Sequence, residues 1–300
     1  MGGLHAAARK TCSLWGKTVT IVSAADDAFA ELDFSLHRSL GPWAPAFRLI
    51  DIGLSEDARR EAERRGIDLL ALPDEFFRDA KLLGPYLQAM YLRPRLPQLV
   101  DSELILWIDS DCWIQRIEAI TQFLDGAIEQ PSAFTICTLL DIDYPRCIDG
   151  YIHYQFDYRR VHIQLFGEAD ADKLYGNAIF SSGIFAADRA SPVWDDWWRD
   201  VRILYETNEN VRTIPGTAHI AEQQALNRIL HWRRAYNCLS AEMNWNCHCS
   251  DVVREGSVVK IKRSGRIPAV VHLSMFRERE AEYREKRLLY EPPGNARPEE

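Results

Sequence analysis

The sequence predicts an α/β protein: a mostly parallel sheet with helices on both faces. Short β-branched or aliphatic runs alternate with helix-length segments through the first half of the chain. Capping and turn residues stand between them. The most apolar run, "LILWIDSD", ends in Asp109 and Asp111, and sheets of this class bind ligands beyond the carboxyl ends of their strands.

Each element follows from local chemistry. "TVTIVSA" (18–24) is β-branched and reads as a buried strand. A helical stretch runs to about Leu40, where Gly41-Pro42 breaks it. "FRLIDIG" is a second strand. Ser55 caps a helix whose first turn is acidic (Glu56, Asp57) and which Gly66 ends. "DLLAL" is a third strand, and "LLGPYLQAMYLRPRLPQLV" is helical until its prolines interrupt it. "ELILWID" and "SAFTICTLLD" are the fourth and fifth strands, and this strand–helix alternation is what makes the sheet parallel. The second half is less regular. Ser191-Pro192 starts a helix whose Trp194, Trp197 and Trp198 share one face, the spacing of core packing. "EQQALNRIL" is a helix, "AVVHLSMF" a short strand ending near His272, and the chain beyond Arg277 is charged and then Pro-rich.

Composition narrows the function. At 300 residues and 47% hydrophobic, the chain suits one large domain or a domain with an appendage. A formal charge of −8 argues against a polyanion binder, so no nucleic-acid partner is expected. Seven cysteines without a secreted-scaffold spacing read as reduced thiols in a cytoplasmic setting. The "NCHCS" cluster (Cys247, His248, Cys249) fits no zinc spacing. No window reaches the roughly 18–20 apolar residues of a membrane span. The start lacks a signal-peptide core, and Ala6 breaks the myristoylation pattern, so any membrane contact is expected to be peripheral.

Asp-x-Asp occurs three times, at 109/111, 141/143 and 170/172, and two of these follow apolar strands. Paired carboxylates at a strand end suit a hard divalent cation that holds a diphosphate, and equally suit a solvated turn. No Walker loop or nucleophile-elbow serine is present, and His153, His162, His219 and His231 lack ligand-like spacing.

"TIVSAADDAFAELDFSLHRSL", "FRLIDIGLSEDARREAERRG" and "LILWIDSDCWI" together resemble the family 8 glycosyltransferases, as do "FSSGIFAADR", "EQQALN" and "VVHLSMF" after them. These are GT-A-fold enzymes that transfer a sugar from a nucleotide diphosphosugar with retention of configuration. The resemblance covers most of residues 18 to 276 in the expected order. It implies one catalytic domain over 1–276, with a nucleotide-sugar-binding half (18–141) and an acceptor-side half (142–276), followed by a charged tail (277–300).

The resemblance also implies roles. Ala24, Ala25 and Asp26 lie near the nucleoside, Phe29 stacks on the base, and Arg93 and Ser110 sit beside the donor. Asp109, Asp111 and His272 hold the metal. Asp141 contacts donor-sugar hydroxyls, and Glu222 and Gln223 flank the anomeric carbon. The family's Gly and Lys-Pro-Trp after the metal histidine are missing from "HLSMFRERE", where Arg277 or Arg279 substitutes. Ser181 and Glu222 replace the usual Asn and Asp. An imidazole joining two carboxylates favours Mn²⁺, with Mg²⁺ the alternative.

The expectation is a metal-dependent, retaining hexosyltransferase that uses a UDP-sugar and a glycan, lipid-linked or small-molecule acceptor. Its rivals are a sugar nucleotidyltransferase of similar fold and a catalytically silent sugar-nucleotide or glycan binder. The acidic, glycine-free "SAADDAF" disfavours the first; intact Asp109, Asp111 and His272 argue against the second.

Overall fold

The computed structural model describes residues 12–72, 76, 84–145, 151–214 and 216–291. The myristoylation reading at Ala6, the start of the helix before Gly84 and the Pro-rich end fall outside these residues. In chain order the strands are β1 Cys12–Leu14, β2 Lys17–Ala25, β3 Phe47–Asp51, β4 Asp68–Leu70, β5 Leu104–Ile108, β6 Cys112–Ile114, β7 Phe134–Thr138, β8 Phe180–Asp188, β9 Tyr236–Leu239, β10 Trp245–Asn246, β11 Val252–Glu255, β12 Val258–Ile261 and β13 Val270–His272.

The main sheet has the order β4-β3-β2-β5-β8-β7-β9, with β1 hairpinned onto β2. Strands β4, β3, β2 and β5 pair in parallel, and β7 pairs in parallel with β9. Strand β8 runs antiparallel to both β5 and β7. The mostly parallel α/β sheet expected from the sequence is therefore present, with one reversed strand at its centre.

Alternation along β5 shows why its sequence is apolar throughout. Leu104, Leu106 and Ile108 face one core, with helices Ala30–Ser39, Glu56–Arg64 and Glu118–Glu129. Ile105 and Trp107 face the other, with helices Val193–Thr207 and Thr217–Arg233. Both faces are covered, so no position on the strand suits a polar residue. The tryptophan stripe belongs to the second core. Trp194 and Trp197 are buried against Phe134 and Phe185, and Trp198 meets Tyr91 edge-on at 4.9 Å.

Local signals position most helices. The Ser55 side chain accepts the Ala58 amide, and Gly66 follows the helix with φ at +72°. The helix after Ser191 begins at Val193, with Pro192 at its cap, one residue later than the Pro rule suggests. The fifth predicted strand ends at Thr138 rather than Asp141.

A small sheet, β10-β13-β6, leaves the carboxyl end of β5 and gathers a third core with β11, β12 and helix Phe276–Glu285. Within that helix and just after it, Tyr283 and Leu288 are fully buried, and the Tyr283 hydroxyl donates to the Ser274 carbonyl at 2.7 Å. The charged segment beyond residue 276 is thereby packed onto the body as far as Leu288.

Buried Asn227 joins helix Thr217–Arg233 to β8. It accepts the Phe180 amide at 2.7 Å and donates to the Phe180 carbonyl at 2.9 Å and the Gln223 carbonyl at 2.8 Å. Asn227→Ala would strand the Phe180 amide and carbonyl in the core. Its expected cost is about 2–4 kcal/mol, read as a lowered urea midpoint at unchanged slope.

Candidate functional site

Asp109 is the first residue after β5, and its amide donates to the Gly183 carbonyl of β8 at 2.8 Å. The chain then turns, with the Cys112 amide donating to the Asp109 carbonyl, and re-enters as β6. Strand β13 pairs antiparallel with β6, placing His272 opposite Cys112. The Leu273 amide donates to the Asp111 carbonyl at 2.8 Å. This register brings residue 272 to a strand end more than 160 residues earlier in the chain. His272 Nε2 lies 3.2 Å from Asp111 Oδ1 and 4.0 Å from Asp109 Oδ2.

The other imidazole nitrogen, Nδ1, meets the side-chain oxygen of buried Asn244 at 2.9 Å. Asn244 in turn donates to Ser181 Oγ at 3.0 Å. An amide oxygen can only accept, so Nδ1 carries a proton; Nε2 faces Asp111, donating to its carboxylate when the ring is protonated and freeing a lone pair there when that proton leaves.

Gly183 makes room for this arrangement. A Cβ there would stand 2.6 Å from His272 Cε1 and 3.1 Å from Asp109 Oδ2. Asp111 Oδ1 and, farther off, Asp109 Oδ2 thus face one imidazole nitrogen, an oxygen–nitrogen donor set of the kind a divalent cation takes.

Arg93 neutralises the cluster from behind. Its guanidinium pairs with Asp109 Oδ1, which also accepts Trp107 Nε1 at 2.8 Å. The same guanidinium donates to Glu222 Oε2 at 3.1 Å and Ser182 Oγ at 2.9 Å, and lies over the Trp107 ring. Glu222 is wholly enclosed, and its Oε1 has no hydrogen-bond partner. Burial raises its carboxyl to about 7, against the pull of Arg93. Burial also raises the Asp109 carboxyl, with Asp111 adding to the rise and Arg93 opposing it. For His272 burial lowers the imidazole, but the charges of Asp111 and Asp109 outweigh it and the net direction is up. Gln223, half-buried beside Glu222, accepts the Ser182 amide at 3.2 Å through its side-chain oxygen.

The remaining predicted residues fall into two further groups. Ala24 and Ala25 end β2, and Ser110 Oγ donates to the Ala24 carbonyl at 2.7 Å, tying the Asp-Ser-Asp turn to that strand. Asp26 pairs with Arg277 at 2.8 Å, and the Arg277 guanidinium sits 5.0 Å over the Phe29 ring. Asp141 is engaged elsewhere: Arg266 binds it together with Asp143 and Glu242. Arg279 pairs with Glu282 and the His248 carbonyl rather than with Asp26.

Sequence reasoning missed Gly183, Asn244, Ser182 and Asp33. Asp33 is fully buried on helix Ala30–Ser39, and neither carboxyl oxygen meets a partner of good hydrogen-bond geometry. Burial raises it to about 7, and the nearby Ser23 and Ser110 hydroxyls only partly offset that rise. Among the described residues, Asp111, Cys112 and His272 form a group whose ligand atoms all lie within 4.8 Å of one another. The Cys247–His248–Cys249 segment is not such a group.

The bifunctional glycosyltransferase WbbM superposes with a TM-score of 0.55 at 13% identity, over 88% of this chain and 47% of that one. The fold is GT-A. GlyE of Streptococcus pneumoniae (TM-score 0.44, 14% identity, 76% of this chain and 46% of that one) and mouse xyloside xylosyltransferase 1 (0.44, 14%, 76% and 86%) superpose too loosely to add to that assignment. The chain spans about half the length of WbbM and of GlyE. No protein-family model and no curated protein matches the sequence, and nothing singles out family 8 among GT-A proteins. Among the described residues no helix is long and apolar enough to cross a membrane.

Two outcomes are expected. Gly183→Ala pushes its methyl into the His272 ring and weakens Mn²⁺ affinity roughly 10-fold or more, measured by calorimetric titration. Asp33 binds its proton more tightly folded than unfolded, so its own contribution to stability falls as pH rises from about 4 to about 7. Asp33→Asn is expected to remove that share of the pH dependence, while the similarly raised Glu222 keeps its own, in melts recorded across the range.

Proposed function

We propose that this chain is a metal-dependent, retaining glycosyltransferase that moves a hexose from a UDP-sugar to a glycan, lipid-linked or small-molecule acceptor. The observation that carries the reading is the convergence of Asp109, Asp111 and His272 at the carboxyl edge of a GT-A sheet, with Arg93 joining Asp109 to Glu222.

Asp109, Asp111 and His272 hold Mn²⁺, or Mg²⁺ in its place. When bound, the cation neutralises the charge that builds on a departing nucleotide diphosphate. The turn after β2 (Ala24, Ala25, Asp26) and Phe29 receive the nucleoside, and Ser110 holds the metal-binding turn against that strand. Arg277 already lies over Phe29, so it exchanges the Asp26 carboxylate for a phosphate when donor enters.

Glu222 is enclosed, and its Oε2 is given to Arg93 and Ser182; it orients Arg93 rather than attacking carbon. Gln223 is the less buried member of the pair. Its amide is anchored by the Ser182 amide, leaving one carbonyl lone pair to face positive charge at the anomeric centre. An amide is a poor nucleophile, which favours attack by the acceptor on the face the diphosphate leaves. Asp141, clamped by Arg266, reaches sugar hydroxyls only through an oxygen that the guanidinium leaves free.

Asp111→Asn replaces a charged ligand by a neutral one. It is expected to remove most Mn²⁺-dependent UDP binding while leaving the melting temperature near native. Full UDP affinity in that variant would overturn the metal assignment to Asp111. Gln223→Ala should lower turnover far more than donor affinity, since its contribution grows with charge at the anomeric carbon. The anomeric configuration of the product tests retention, and release of UDP from UDP-glucose or UDP-galactose separates an enzyme from a silent binder.

A further inference from the structure

The residue opposite His272 is a cysteine. In an antiparallel pair, directly opposed residues present their side chains on the same face, and His272 and Cys112 are such a pair. The Cys112 sulfur, an Asp111 carboxylate oxygen and a His272 nitrogen all lie within 4.8 Å of one another. Donors around a tetrahedral zinc ion stand roughly 3.4–3.6 Å apart, given ordinary Zn–S, Zn–N and Zn–O bond lengths. Asp111 and His272 are already at 3.2 Å, so only the thiol has to close in.

The hydrogen bond from His272 Nδ1 to Asn244 keeps Nε2 directed at this point. Cys112 is buried, with its sulfur turned to the same face as the His272 imidazole. A hard cation such as Mn²⁺ has little affinity for that thiol, whereas a thiophilic one does.

We propose that Cys112 joins Asp111 and His272 as a sulfur–oxygen–nitrogen site for a thiophilic divalent cation of the Zn²⁺ and Cd²⁺ class. This rests on the reading of Asp111 and His272 as cation ligands. Binding forms one metal–sulfur bond and releases the thiol proton to solvent, with no change of oxidation state. The same donors cannot serve two ions, so a thiophilic cation displaces Mn²⁺ and holds the protein in a form that cannot take a nucleotide diphosphate through the hard ion.

The test is a Cd²⁺ titration of the full chain under reducing, metal-free conditions, following the ultraviolet thiolate-to-cadmium charge-transfer band. Mn²⁺ binding to the same wild-type preparation is followed by electron paramagnetic resonance. One equivalent of Cd²⁺ is expected to develop the band and to release bound Mn²⁺. Cys112→Ser, with native circular dichroism, should lose the band; Cys112→Ala serves if serine at this buried position unfolds the chain. Cys247→Ser should keep it, and His272→Ala should weaken Cd²⁺ binding at least tenfold. No band in a wild type that binds Mn²⁺, or a band that survives loss of Cys112, overturns the proposal and leaves the glycosyltransferase reading intact. A Cys112-dependent band in a protein that never binds Mn²⁺ supports the thiol site and removes the Mn²⁺ assignment instead.

Discussion

The Arg93 guanidinium is the interaction on which the site depends. It lies between Asp109 and Glu222, two carboxylates that burial raises and Arg93 only partly pulls back, and rests on the Trp107 ring. A lone charge in such a place is untenable, and a single guanidinium facing two acids is a compromise that leaves the cluster short of positive charge. The deficit is what makes the front of the cluster receptive to a cation. Loss of Arg93 would therefore weaken the fold behind the site as well as the chemistry in front of it.

Geometry then has to keep that front open. Strand β8 supplies a position without a side chain where His272 and Asp109 come together, and Asn244 fixes which imidazole nitrogen looks outward. These residues come from four separate segments, joined by the pairing of β13 with β6 and β10 and by the Asp109 amide bond to Gly183. The placement of His272 beside the two aspartates is thus a property of the sheet and of no single loop.

The parts of this design that were legible in the sequence are those written locally. The strand ending in Asp109, the Ser55 cap and the stop at Gly66 each follow from neighbouring residues. Asp109, Asp111, Arg93 and His272 were reached through an ordered series of motifs. Strand β8 was missed as a strand because "FSSGIFAAD" lacks both alternation and a β-branched run; it is central and covered on both faces, so small residues suffice. Gly183 and Asn244 carry no local signal, since their roles exist only once residues 112 and 272 are paired. Asp33 reads as an ordinary acid in a helix's first turn, and only the packing of that helix against the neighbouring strands encloses it. Asp141 illustrates the converse: it stands at a strand end as expected, yet Arg266, from far along the chain, takes its carboxylate.

The reversed central strand has a consequence for how the chain is made. Strand β5 leaves the ribosome long before β8, and β8 is the strand that joins it to β7. Until residue 188 has emerged, β5 and β7 each expose an unpaired hydrogen-bonding edge flanked by apolar side chains. Such edges attract other strands, including those of neighbouring nascent chains. His272 joins Asp109 and Asp111 later still, when β13 appears. Synthesis thus passes through a long interval in which the first half is assembled but open, and protection during that interval falls to whatever shields nascent chains in its host. A truncation ending near residue 141 would freeze the molecule in that exposed state.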